Sequence, residues 1–327
     1  MRNLLEYSGS LISNDSLIVA PYDYQKLSYE NILPLNNGLI KNWNIQKFSS
    51  DYSEIEHLNV INGMGVTLGD SIVGISVLSA IKKKNPKIKI KLIRPETAPS
   101  YVEELYELAS SVIDELHYMP FHIQKLPCTA LNIDVGNQLY SPDFHIMEMH
   151  DYFIQGLGVK LDDVNHNELS NKWLGNIDLG APVFENYTLF APIASTKIRS
   201  IPSKFYYDIV DMLSRREGKT VLGFVDVNHK NYINTSKYSP HTKDFIALIK
   251  YASNVYTCDS SALHIAAGFG VPTECVFNTI PPELRTKYYS KCKSIYVGNK
   301  RLEKIQSSED FQLVKMVENN YREYLYG

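Results

Sequence analysis

Three stretches of this chain combine residue types that handle hydroxyl nucleophiles and phosphate esters. In the first, Gly69-Asp70-Ser71 opens a helical pattern directly after an apolar, β-rich run at 58–62. Glycine there permits a tight turn, and a helix start leaves backbone N–H groups for an anion or polar ligand. Asp70 has two readings: a cap for its helix, or a carboxylate facing a cleft that takes a proton from an attacking hydroxyl. In the second, APIASTKIRSIPSKFY (191–206), a strand ends in small and hydroxyl residues and is followed by Lys197, Arg199 and Pro202 at a helix start. Cations beside a helix N-terminus suit a diphosphate, and the plain alternative is a basic surface loop. In the third, CDSSALHIAAGFGVPTECVFN (258–278), a strand delivers Asp259, Ser260 and Ser261 to a helix start with His264 following. Ala266, Ala267 and Gly268 keep that helix slim, Gly270 ends it, and Pro272 forbids continuation.

Other chemistry is weaker or excluded. GMGVTLG (63–69) is not the dinucleotide GxGxxG, and no acidic residue follows at the next strand end, so a nicotinamide cofactor is not expected. No DxD stands in a loop suited to a metal; Asp162-Asp163 reads as a solvated surface pair. The stretch KKKNPKIKIKLIR (82–94) carries seven cations. Lys89 and Lys91 share one strand face, either as a solvated stripe or as a dock for a phosphorylated acceptor. HYMPFH (117–122) and HIMEMHDY (145–152) offer aromatic and imidazole groups for an acceptor pocket, and His150 is the candidate among them.

These side chains must be held by a framework, and the chain supplies one. It has 327 residues, enough for about two domains. From residue 58, short apolar runs alternate with helical patterns: 58–62, a helix to Lys84, 88–93, a helix through Val112, 129–135 and a helix over 144–158. The rhythm restarts at 187–193 and runs through strands at 220–225, 254–259 and 273–278 with helices at 202–217, 245–252 and 260–269. Strand–helix repetition predicts parallel sheets with helical crossovers, hence two Rossmann-like domains facing a cleft at the carboxyl ends of their strands. The expected divisions are a small β-containing extension at 1–57, an acceptor domain at 58–180 and a nucleotide domain at 181–308. A last helix at 309–327 shows Phe311, Val314, Val317 and Tyr321 on one face, which can pack back across the cleft. Net charge −3 does not suggest a protein that coats nucleic acid. Four scattered cysteines form neither a disulfide framework nor a zinc site. No run of about 18 apolar residues and no leader pattern appear, so a cytoplasmic protein without a transmembrane segment is expected.

Together the three stretches resemble glycosyltransferase family 9, the heptosyltransferase-like enzymes of GT-B fold. LGDSIVGISVLSAIKKKNPKIKIKLI (68–93) is similar to that family's first βα unit. IASTKIRSIPSKFY (193–206) resembles its strand, small-residue, cation, helix segment, with Ile193 and Ile201 at positions usually Gly and Trp. DSSALHIAAGFGVPTECVFNTIPP (259–282) resembles its signature D-[ST]-G-x-x-H-x-A-A-x-x-x-P, with Ser261 in place of Gly.

The resemblance implies an α/β GT-B enzyme that inverts the configuration of a sugar moved from a nucleotide-diphosphate donor. Asp70 would be the base; Lys197, Arg199, Ser260, Ser261 and His264 would hold the diphosphate. Ser195, Asp226 and Asp259 would meet the nucleotide and its ribose. Gly69, Lys89, Lys91 and His150 would meet the acceptor, with no cofactor and no metal. The acceptor stays open between a lipopolysaccharide core sugar reached by peripheral membrane contact, a protein hydroxyl and a hydroxymethylated DNA base. Two other classes stand beside it: a nucleotide-sugar-binding protein without turnover, and a sugar epimerase.

Overall fold

Hydrophobic periodicity decides most of the elements. The computed structural model describes residues 3–14, 16–26 and 31–327, so residues 1, 2, 15 and 27–30 of the expected extension lie outside the description. The chain divides into two units, Met1–Leu169 and Ser170–Gly327.

In unit 1 the strands are β1 (Leu11–Ile12), β2 (Leu17–Val19), β3 (Leu33–Pro34), β4 (Ile40–Lys41), β5 (His57–Ile61), β6 (Lys89–Pro95), β7 (Glu115–Met119), β8 (Phe121–His122) and β9 (Leu131–Asp134). The helices are α1 (Leu68–Lys84), α2 (Ser100–Leu108) and α3 (Met149–Gly156). Among the described residues β4-β9-β5-β6-β7 form a parallel sheet and β3-β1-β2-β8 an antiparallel one. Ile61, Ile93 and Met119 of the parallel strands share a buried cluster with Ile18, Ala20, Leu35 and Phe121. The N-terminal extension is therefore part of this unit's core. α1 is apolar on several sides because it is enclosed on several sides: Ile72, Val73, Ile75, Val77 and Leu78 are all fully buried. It packs against α2 and α3 and ends at Asn85, whose side-chain amide donates to the carbonyls of Tyr52 and Ile55.

Unit 2 contains β10 (Tyr187–Ala191), α4 (Tyr206–Glu217), β11 (Thr220–Gly223), β12 (Tyr232–Asn234), α5 (Thr242–Lys250), β13 (Asn254–Cys258) and α6 (Ser261–Phe269). It continues with β14 (Thr273–Phe277), α7 (Glu283–Thr286), β15 (Cys292–Tyr296) and α8 (Phe311–Tyr326). Its sheet, β12-β11-β10-β13-β14-β15, is parallel throughout. The α/β class and the two parallel sheets are those expected from the sequence. The division falls at Leu169, ahead of the expected 180, because the 3₁₀ turn at 172–176 packs on α6. A Cβ on Gly268 would come 2.7 Å from Leu174 Cδ1, so only glycine allows that approach. In α8, Val317 and Tyr321 enter the cluster of Phe205 and Ile209, whereas Phe311 is 75% exposed and does not share the expected buried face.

Candidate active site

In unit 1, β5 and β6 run in register from His57↔Lys89 to Ile61↔Ile93, so Asn62 and Arg94 emerge at one carboxyl edge. The chain leaves β5 through Asn62 (φ 53°) and Gly65 (φ 80°), a left-handed turn that glycine accepts without strain. Met64, fully buried, lies against α1 where Gly74 has no side chain; a Cβ there would come 2.4 Å from Met64 Cβ. The fold thereby anchors the loop that precedes the candidate base.

Asp70 and Gly69 stand inside the first turn of α1, behind the N-cap Thr67. The Thr67 hydroxyl donates to Asp70 Oδ2 at 2.8 Å. A Cβ on Gly65 would sit 2.8 Å from Asp70 Cβ and 3.0 Å from Gln138 Nε2, so the glycine turn and Gln138 flank the carboxylate. Asp70 is half-buried. It thus has the helix-start role, and it stands at the carboxyl end of the strands.

Asp134 ends β9 at the same edge, on the other side of β5 from β6. Open parallel sheets bind ligands where the strand order reverses in this way. It accepts the Ser10 amide and hydroxyl, both at 2.7 Å, and the Asn42 amide at 2.9 Å. Burial pushes its carboxyl above the usual range, and those hydrogen bonds pull it back. Sequence reading missed it; its one signal was an acid closing a buried apolar strand.

Of the four expected acceptor-side residues, Gly69 adjoins Asp70 and the other three are placed elsewhere. Lys89 and Lys91 lie in the amino-terminal half of β6, away from the edge that carries Asp70, and pair with Asp114 at 3.2 Å and Glu115 at 3.0 Å. His150 is fully buried, its Nδ1 2.8 Å from Glu148 Oε1. Glu148 caps α3 by accepting the backbone amides of His150 and Asp151. The stripe is an ion-paired strand and the histidine a helix-start partner.

In unit 2, Arg199 is brought to the carboxyl end of β13. Its Nη1 donates to Asp259 Oδ2 at 3.1 Å, its Nη2 to Ser195 Oγ at 2.5 Å and its Nε to Thr196 Oγ1 at 3.2 Å. Asn278, one residue past β14, fixes this loop by donating to the carbonyls of Ile198 and Ser200, each at 2.9 Å. Asp259 is buried, and Arg285 Nε lies 3.7 Å from its Oδ1, with Arg285 itself 1% exposed. Burial alone would raise the Asp259 carboxyl; Arg199 and then Arg285 hold it below the usual carboxylate range. One buried and one partly buried cation thus share one buried anion. Neither Asn278 nor Arg285 was singled out in the sequence, since each reaches its partner from a strand or helix far along the chain.

α6 begins at Ser260 with no side-chain cap; the Ser260 hydroxyl instead meets Thr257 Oγ1 at 3.1 Å. Ser261 opens the helix half-buried, so the start keeps its backbone donors. His264 is buried one turn on, its Nδ1 2.6 Å from the Tyr289 hydroxyl, which also accepts from the Asn171 amide. That ring braces the helix; Lys197 is exposed and loosely paired with Glu309 at 3.3 Å. Asp226 lies exposed beyond β11 and accepts the Asn234 amide at 2.7 Å. A cavity of about 410 Å³ in this unit runs along α6 from Leu263 to Gly270 and is closed by Tyr289 and Lys291; Ser261 does not line it.

No protein-family model matches the chain, and no curated protein matches it. Solved structures do. A glycosyl transferase family 9 protein from Veillonella parvula is 15% identical, with 84% of this chain and 98% of that one covered and a TM-score of 0.49. The ADP-heptose lipopolysaccharide heptosyltransferase II of E. coli is 12% identical, with 83% and 98% covered and a TM-score of 0.45. The E. coli heptosyltransferase WaaC, solved with ADP, is 13% identical, with 81% and 99% covered and a TM-score of 0.45. In structure, then, this chain is similar to family 9 glycosyltransferases and heptosyltransferases.

Proposed function

We propose that the chain is an inverting glycosyltransferase that moves a sugar from a nucleoside-diphosphate donor to an acceptor hydroxyl. The observation that carries this reading is the Arg199–Asp259–Arg285 cluster beside the uncapped start of α6. A leaving diphosphate gains negative charge as the glycosidic bond breaks, and fixed cations with helix N–H groups stabilise it most where water is excluded. Arg199, 17% exposed at its side chain, is the cation that meets the phosphates; Asp259 orients it. Because these groups supply the positive charge, the reaction as proposed requires no divalent ion.

Asp70 supplies the other half. Its carboxylate takes the proton of the acceptor hydroxyl, the oxygen attacks the anomeric carbon opposite the diphosphate, and the bonding pair leaves with the diphosphate. Thr67 holds the carboxylate by one oxygen and fixes its direction. The acceptor is read as a glycan hydroxyl. Among the described residues no helix is long and apolar enough to cross a membrane.

Product analysis by mass spectrometry with a panel of nucleotide sugars and glycan acceptors tests this. Asp70→Asn keeps an acceptor for the Thr67 hydroxyl and removes the base. It is expected to lower kcat about 10²–10⁴-fold with nucleotide affinity retained. An unchanged kcat, or no transfer by the wild type with any donor, contradicts the assignment.

A further inference from the structure

The cavity of about 410 Å³ beside α6 holds none of the groups assigned to the charge of the leaving diphosphate except through its far wall. That volume falls in the range of small-molecule sites, about 300–1,000 Å³. Its inner lining is largely apolar: Leu263 and Ala267 from α6, Val271 just after the helix, and Tyr289. Leu263 and Tyr289 belong to a small core cluster with Cys275 and Phe277, against which Ala267 and Cys292 pack. The walls are fixed from behind. The Tyr289 hydroxyl lies 2.6 Å from His264 Nδ1 and accepts the Asn171 amide at 2.8 Å. Gly268 lets α6 close on the Asn171 carbonyl oxygen, which a Cβ there would meet at 2.8 Å. Walls tied in this way keep the space formed without an occupant.

Inside, the polar groups are engaged or uncharged. The Thr273 hydroxyl donates to the Val271 carbonyl at 2.9 Å, and burial pushes the Cys292 thiol up to about 11. The interior therefore offers apolar contact and no charge. The mouth differs. Lys172 and Lys291 are exposed, and neither is ion-paired among the described residues. A Cβ on Gly270 would come 3.8 Å from Lys291 Nζ, which places that ammonium at the end of α6. Lys250 Nζ stands 5.5 Å from the centre of the Phe269 ring, on the same stretch of lining. None of the described lining residues is acidic. Glu274, next to Thr273 in β14, is taken by Arg216 at 2.8 Å and Lys293 at 3.8 Å. The cavity thus joins an apolar interior to a positive rim, which attracts an anion with an apolar body.

We infer that this cavity binds a small amphipathic carboxylate, its apolar body along α6 between Ala267 and Tyr289 and its carboxylate between Lys172 and Lys291. The inference does not rest on the glycosyl-transfer reading, since neither Asp70 nor Arg199 lines the cavity.

Calorimetric titration of butyrate, hexanoate and octanoate into the full chain reads both halves of the site. Affinity should rise about tenfold for each two methylenes added, since every buried methylene is worth about fourfold. Neutral octanamide should bind about fivefold more weakly than octanoate, and the double variant Lys172→Met, Lys291→Met should lose that preference. Ala267→Leu fills the space beside Tyr289 and should weaken octanoate about tenfold or more. In crystals of the full chain soaked in ω-bromo-octanoate, the anomalous bromine signal should lie beside Leu263 and Ala267. Octanoate that binds no better than butyrate, octanamide that binds as well as octanoate, or bromine found only away from α6 overturns the inference. Should Ala267→Leu fail to fold, the wild-type titrations and crystals still decide.

Discussion

Asp259 shows how one side chain can set the charge of a whole site. Its carboxylate lies between Arg199 and Arg285 and is held below the usual range by them. A carboxyl depressed in the folded state contributes stability above its unfolded value near 4 and loses it as pH falls through the folded one. Acid melting should therefore show a loss of stability below about pH 4 that is absent from Asp259→Ala. At neutral pH that variant takes the carboxylate away from Arg199 and the buried Arg285, and chemical denaturation is expected to show a loss of about 3–5 kcal/mol. Asn278 acts one step further out. Asn278→Ala removes both donors that hold the loop around Arg199, costing about 1–3 kcal/mol. It should also reduce the melting shift given by nucleotide; an unaltered shift would mean that the loop needs no such brace. Asp70, Asp259 and Ser260 could be singled out in the sequence because each stands at a strand end or helix start, and Arg199 because it follows a strand in a basic loop. Arg285 and Asn278 were not, because their meaning lies in contacts between segments far apart in the chain. Lys89, Lys91 and His150 show the converse: their residue types suggested binding, but strand register and a helix cap assign them to partners within the fold.

Among the elements, the turn between β5 and α1 decides where the Asp70 carboxylate points. Gly65 takes φ 80°, and its missing side chain leaves room for Asp70 and Gln138. Gly65→Ala is both strained and overpacked, since the new Cβ would fall 2.8 Å from Asp70 Cβ. Transfer should fall at least tenfold while nucleotide affinity, measured on the same preparation, stays at the wild-type value. A coupled loss of both would place the effect on global stability. The sequence predicted most parallel strands and helices to within a few residues because their apolar periods are unambiguous. β7, β12 and β15 escaped notice: Tyr232–Asn234 is short, and Glu115–Met119 and Cys292–Tyr296 carry polar residues at a sheet edge. The short strands β1 to β4 were expected only collectively, as a small β-containing extension, since their two- and three-residue lengths give periodicity little to count.

For the whole molecule, composition and rhythm sufficed to give two parallel α/β units, and packing placed the division. Residues 170–180 were expected in the first domain, yet Trp173 and Leu174 are buried and fall in unit 2. In the proposed reaction the base belongs to unit 1 and the leaving-group charge to unit 2, so the donor half can be measured by itself. There the start of α6 with Arg199 is proposed to bind a nucleoside diphosphate without a metal ion. Calorimetric titration of ADP, UDP and GDP into the full chain in EDTA, and into Arg199→Met, tests this most directly. At least one nucleotide should bind the wild type at micromolar concentration and lose about tenfold or more in affinity in the variant. Absence of binding by all three in EDTA, or equal affinity in both proteins, would contradict it.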